Sequence, residues 1–117
     1  MSDAPSVFRQ ITRTARKEHK CCECRSVINP GDKYMYSSGI WDGSASDYKQ
    51  CLICGEASNA ATEISEPDEA PAFTGLREWM QVYFSGHEDK NLSIQRIAKD
   101  LRMPEEKIRH VLGPRYA

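Results

Sequence analysis

HKCCECRSVINPGDKYMYSSGIWDGSASDYKQCLIC, residues 19 to 54, contains all five cysteines of a 117-residue chain. Cys21 and Cys24 bracket two residues, Cys51 and Cys54 do the same, and twenty-six residues separate the pairs. A two-residue gap lets a tight turn aim both sulfurs at one point, and two such turns face to face complete a tetrahedron around Zn2+. The spacing therefore predicts one structural zinc ion on Cys21, Cys24, Cys51 and Cys54. Cys22 offers a C-x-C bite with Cys24 but lacks the knuckle spacing. His19 is the nearby group that could substitute as a ligand; with four thiolates completing the shell, it reads as a polar residue beside the knuckle.

The residues between the pairs fit a small metal module. In NPGD, Pro30 and Gly31 suit the fixed and then positive φ of a type II turn, so a hairpin is expected between SVI and KYMY. A second turn is predicted at Trp41-Asp42-Gly43, with SDYKQ returning as a strand into Cys51. EASNAATEI, free of proline, predicts a short helix after the second pair. The order knuckle, hairpin, knuckle, helix describes a treble-clef-like zinc module; a zinc ribbon of two facing hairpins is the alternative. About 45 residues with so few aliphatic side chains cannot offset their ordering entropy by burial alone. Zinc binding worth on the order of 10 kcal/mol or more decides whether such a unit folds. Tyr34, Tyr36, Trp41 and Tyr48 are expected as a small core around the metal, with a base-stacking surface as their other use.

Redox or hydrolytic chemistry is not expected. A thioredoxin-like C-x-x-C needs a helix N-terminus in a βαβ frame, which is not readable around either pair. A catalytic zinc needs an open position and a neighbouring acid or base, whereas four cysteines close the shell. No clustered His/Asp/Glu set suggests a hydrolase. The expectation is a protein that is not an enzyme and has no small-molecule substrate.

Hydrophobic content of 39% and a mean hydropathy of -0.64 describe a polar chain. It has no apolar run of the length needed to cross a bilayer and no apolar leader segment, so a cytoplasmic, non-membrane location is expected. In that reducing compartment clustered cysteines bind metal more often than they form disulfides. The net charge is -1, but residues 1–25 carry +3, 26–62 carry -2, 63–71 carry -4 and 72–117 carry +2. EISEPDEAPA reads as an acidic linker. Three parts are predicted: a basic N-terminal arm with the zinc module over 1–62, the linker over 63–71, and a helical unit over 72–117. In the arm, Arg9, Arg13, Arg16, Lys17 and Lys20 cluster ahead of the first knuckle, helical or extended, as candidate contacts to phosphate or an acidic partner.

In the C-terminal part, Leu76, Trp79, Met80 and Tyr83 recur at helical spacing behind Thr74 as N-cap. Ser93 is the expected cap of a second helix, IQRIAKDL. EEKIRHVL makes a third, with Ile108, Val111 and Leu112 apolar and Gly113-Pro114 as its stop. A three-helix bundle and an overall α+β class follow.

Two stretches resemble known families. RKEHKCCEC, INPGDKY, SGIWDG and YKQCLIC, over about residues 15–54 and less closely AFTGLRE at 72–78, look like a small zinc-binding module common in uncharacterised bacteriophage and prophage proteins. That resemblance implies a metal-binding fold and a phage or prophage origin, and carries no reaction. IAKDLRMPEEKIRHVL resembles the helix-turn-helix of bacterial and phage regulators: Ala98 stands where a small residue is needed for close crossing, and Ile108 and Val111 where apolar packing is needed. Arg102 departs from the pattern, standing at the positive-φ turn position usually given to glycine. If that motif reads DNA, Lys107, Arg109 and His110 of its second helix supply contacts, with Glu105 and Glu106 opposing phosphate.

The function expected from these readings is that of a non-catalytic phage or prophage zinc protein, possible as a homodimer. It would bind and modulate a host protein complex such as RNA polymerase or a defence assembly. The alternative is a DNA-binding transcriptional regulator using the helix-turn-helix.

Overall fold

The computed structural model describes residues 7–66, 68–84 and 89–114. Its class is mixed α+β, with a small antiparallel sheet and four helices. The elements are β1 (Val7–Thr14), β2 (His19–Lys20), β3 (Val27–Ile28), β4 (Lys33–Trp41), β5 (Ser44–Cys51), α1 (Leu52–Ile64), α2 (Leu76–Gln81), α3 (Lys90–Leu101) and α4 (Glu105–Leu112). Strand order in the main sheet is β1-β4-β5; β2 and β3 pair separately.

The β4–β5 hairpin turns where Asp42-Gly43 predicts, with φ of 51° and 81°. Positive φ at both positions is the primed turn that matches strand twist. NPGD also turns as expected: Gly31 has φ 93° and the Asp32 amide donates to the Asn29 carbonyl at 3.0 Å. The expected hairpin across that turn does not form. β3 pairs with β2, His19 opposite Ile28, whereas β4 pairs with β1 and β5. Turn chemistry fixes the local bend without choosing the partner strand.

The first half of the basic segment expected as an arm is part of the main sheet; Arg16 and Lys17 lie in the turn after it and Lys20 in β2. Val7–Thr14 is an edge strand, Arg9 opposite Ser38 and Arg13 opposite Tyr34.

α1 lies across one sheet face through small residues. Gly55 permits the approach, because a Cβ there would meet Met35 Sδ at 2.8 Å. Ala57, Ser58 and Ala61 are buried too. α1 also packs against α3 and α4, which pack on each other, and α2 packs on α4. Leu76, Met80, Ile94, Ile97, Ile108 and Val111 are fully buried, each contributing about 1.5–3 kcal/mol. The same apolar cluster reaches Cys21, Cys24 and Cys54.

The aromatic expectation needs correction. Tyr34 is buried, but Tyr36 is half-exposed. Trp41 and Tyr48 join Phe8 and Phe73 in a cluster of their own, Tyr48 and Phe73 stacked at 4.5 Å.

Two predicted caps also differ. α2 starts after Gly75, with Thr74 at φ 73° and no cap from its own side chains. α3 is capped by Asp89, whose Oδ1 accepts from the Asn91 amide at 2.8 Å. Ser93 is buried inside that helix, its hydroxyl lacking a partner. Arg102 holds the left-handed turn after α3 at φ 56°, the conformation expected despite its side chain. Such a residue costs on the order of 1 kcal/mol.

Candidate metal centre

Cys21 directly follows β2, and the chain reverses immediately: its amide donates to the Ser26 carbonyl at 2.9 Å and its carbonyl accepts from the Arg25 amide at 3.1 Å. Arg25 takes φ 67° to close this turn. Cys51 ends β5 and is the N-cap of α1, which carries Cys54 in its first turn. The two pairs therefore arrive from a tight turn and from a strand-to-helix junction. In each, a backbone amide points at sulfur: Glu23 N to Cys21 Sγ and Cys54 N to Cys51 Sγ, both at 3.4 Å.

The sulfurs of Cys21, Cys24, Cys51 and Cys54 lie within 4.8 Å of one another. Cys24 Sγ and Cys51 Sγ are 3.8 Å apart, and the edge of a tetrahedron with ~2.3 Å metal–sulfur bonds is about 3.8 Å. Cys21, Cys24 and Cys54 are buried and Cys51 is half-buried; none forms a disulfide. Hydrogen bonds from Cys21, Cys51 and Cys54 drive the Cys24 thiol far below its usual range, while those with Cys21, Cys24 and Cys51 drive Cys54 far above it. A dication resolves that conflict by accepting all four as thiolates. The donor set fits a tetrahedral thiophilic metal, zinc among them. Among the described residues this is the one gathering of three or more ligating side chains.

Cys22 stands outside the set. Its amide donates to the Lys49 carbonyl at 2.8 Å, and its sulfur lies 3.8 Å from Glu23 Oε2. Burial, then the Glu23 charge, push its thiol up to about 12. His19 is outside as well, its ring against Tyr34 at 5.3 Å.

Two residues the sequence reading left without this role complete the site. Glu23, inside the first knuckle, is only 5% exposed. Its Oε2 accepts from Gln50 Nε2 at 3.0 Å and the Thr74 amide at 2.9 Å, and its Oε1 from the Leu76 amide at 3.1 Å. Glu23 is thus the remote cap of α2. His110 on α4 places Nε2 3.4 Å from Cys24 Sγ and 3.6 Å from Cys51 Sγ. Arg77 adds a third tie, donating to the Val111 carbonyl at 2.6 Å and the Cys24 carbonyl at 3.1 Å. The residue pattern carried one hint, a glutamate in a four-residue turn otherwise made of cysteines.

The expected contact residues fall into two groups. Arg9 and Arg13 are on β1, and Arg16 and Lys17 follow it, with Arg13 stacked over the Tyr36 ring at 3.8 Å. Lys107, Arg109 and His110 are on α4 and serve internal contacts. Lys107 pairs with Glu56 of α1 at 3.0 Å, and Arg109 donates to Asn91 at 2.8 Å and lies 4.0 Å from Glu105.

The chain matches no protein-family model, no curated protein and no solved structure. No helix among the described residues is long and apolar enough to cross a membrane.

Proposed function

We propose that this chain is a non-catalytic zinc protein of phage type that binds and modulates a host protein complex, RNA polymerase or a defence assembly being the candidates. The observation that carries the non-catalytic reading is four sulfurs within 4.8 Å, with His110 against two of them. A Zn2+ held there has no open position for water or substrate, so its role is to hold the fold. Knuckle, hairpin and a helix that begins between the last two cysteines support a treble-clef-like description. α3, the left-handed Arg102 turn and α4 support a helix-turn-helix-like one.

A protein partner is favoured over duplex DNA by two features. The cations of α4 are engaged within the chain, and Glu105 and Glu106 occupy its first turn. In addition, Ile64, Trp79, Val82 and Tyr83 line a hollow of about 490 Å³ whose margin carries Glu66 and Glu69. Val82 is 84% exposed. An apolar floor with an acidic margin suits an apolar protein segment flanked by Lys or Arg.

Elemental analysis of protein purified without chelator is expected to give one zinc per chain, and removal of the ion to abolish the folded circular dichroism signal. Capture of a host complex that is lost in Val82→Glu supports the partner reading. Duplex binding that weakens steeply with salt and is lost in Lys107→Ala/Arg109→Ala overturns it in favour of a DNA reader.

A further inference from the structure

Strand pairing divides the side chains of the sheet between two faces. Gln10, Met35 and Gln50 point to the face of α1, where Asn59 donates to Gln10 Oε1 at 3.2 Å. The other face carries Arg9 and Arg13 from β1, Tyr34 and Tyr36 from β4, and Asp47 and Lys49 from β5. The register sets Arg13 opposite Tyr34 and Tyr36 opposite Lys49. Arg9 and Arg13 are exposed, and Tyr36 and Lys49 are half-buried. The turn after β1 adds exposed Arg16 and Lys17 at one end. Two adjoining hollows, of about 520 and about 1100 Å³, run along this face and share Tyr36 and Asp47.

The charge on this face is out of proportion to the chain. Arg9, Arg13, Arg16, Lys17 and Lys49 line the two hollows with one carboxylate, Asp47, which accepts from Tyr36 Oη at 2.8 Å. That is a net +4 on a chain of net -1, leaving -5 for everything else. Among the described residues none of the five cations is in an ion pair. At the centre, the Arg13 guanidinium lies 3.8 Å over the Tyr36 ring and the Lys49 ammonium 5.7 Å from it. A planar cation on an aromatic ring, flanked by further cations, is a surface for a base and its neighbouring phosphates.

We propose that this open sheet face binds single-stranded nucleic acid, without strong sequence preference. Arg9, Arg16, Lys17 and Lys49 take phosphates, and the Arg13–Tyr36 pair stacks a base. Single strands suit the face better than duplex does, because hollows along strands admit splayed bases, whereas reading a duplex groove needs a protruding helix or ribbon. This proposal uses a different surface from the Ile64–Val82 hollow and stands whether or not a protein complex is bound there.

The test is fluorescence anisotropy of a labelled mixed-sequence oligonucleotide of about 12 nucleotides with the zinc-loaded full chain. If the four phosphates assigned to Arg9, Arg16, Lys17 and Lys49 are neutralised, affinity falls roughly 50-fold between about 50 and 200 mM salt. Tyr36→Leu is expected to weaken binding by about 10-fold, within the range for loss of one stacked base. Arg9→Glu/Arg16→Glu, both exposed, should remove most binding while melting temperature and zinc content stay unchanged. Lys99→Ala/Arg96→Ala on α3, with two cations removed elsewhere, should bind as the parent does. The idea is overturned if a duplex of the same sequence or polyglutamate binds as tightly, if salt has no effect, or if the double charge reversal leaves affinity intact.

Discussion

Glu23→Gln tests the architecture most directly, because it keeps the shape of the side chain and changes one acceptor oxygen into a donor. The carboxylate accepts three hydrogen bonds: Oε2 from Gln50 Nε2 and the Thr74 amide, and Oε1 from the Leu76 amide. Each bond to a buried charged acceptor is worth about 1.5–3 kcal/mol. The amide keeps one oxygen and turns an NH2 group toward at least one amide donor, so the loss should be about 2–4 kcal/mol. For a chain of this length an unfolding entropy of ~2.1 cal/mol/K per residue converts 1 kcal/mol into about 4 °C, which places the fall in melting temperature at roughly 8–16 °C. Glu23 is not a ligand, so zinc stoichiometry should stay at one per chain. Thermal melting by circular dichroism at saturating zinc, paired with elemental analysis, reads both quantities. A melting temperature within about 3 °C of the parent would refute the remote-cap argument, and stoichiometric loss of zinc would show that the residue serves the metal directly.

Three further outcomes follow from individual side chains. Cys22→Ser should retain one zinc and change stability by less than about 1 kcal/mol, since this thiol stays protonated beside Glu23; loss of zinc by elemental analysis would make it a ligand. Ser93→Ala should leave stability unchanged or raise it by up to about 1 kcal/mol, because its buried hydroxyl has no partner; urea denaturation reads the sign. Gly55→Ala should cost about 1–2 kcal/mol net, because a methyl group driven against Met35, whose Cβ and Sδ lie 3.1 and 2.8 Å from the new atom, outweighs the ~0.5–1 kcal/mol that alanine gains over glycine in a helix. A Gly55→Ala protein that melts with the parent would mean that α1 stands further from the sheet.

The parts of this fold that were legible in the sequence are those encoded locally. Two C-x2-C pairs specify their own geometry, Asp42-Gly43 specifies a primed turn, and Gly113-Pro114 stops α4. β1 escaped because FRQITRT gives little one-sided apolar alternation: its inward face follows Phe8 with polar Gln10 and Thr12, and its outward face sets two arginines around Ile11. Ser93 resembled a cap because short polar residues before an apolar run usually are, yet α3 begins earlier at Asp89. Glu23 and His110 were invisible for another reason. A buried glutamate and a solvated one look alike in a turn, and what identifies Glu23 is its pairing with residues 51 and 53 positions away. His110 is 86 positions from Cys24, and no local period reports a contact of that span.

That span has a consequence for biosynthesis. Cysteines 21 to 54 leave the ribosome well before position 110 is made, so a dication captured by the nascent chain first sits beneath sulfurs open to solvent on one side. Closing a contact across 86 positions costs more loop entropy than closing either cysteine pair. Until the imidazole arrives, competing thiols and small chelators can still reach Cys24 and Cys51; afterwards they meet a ring in the way.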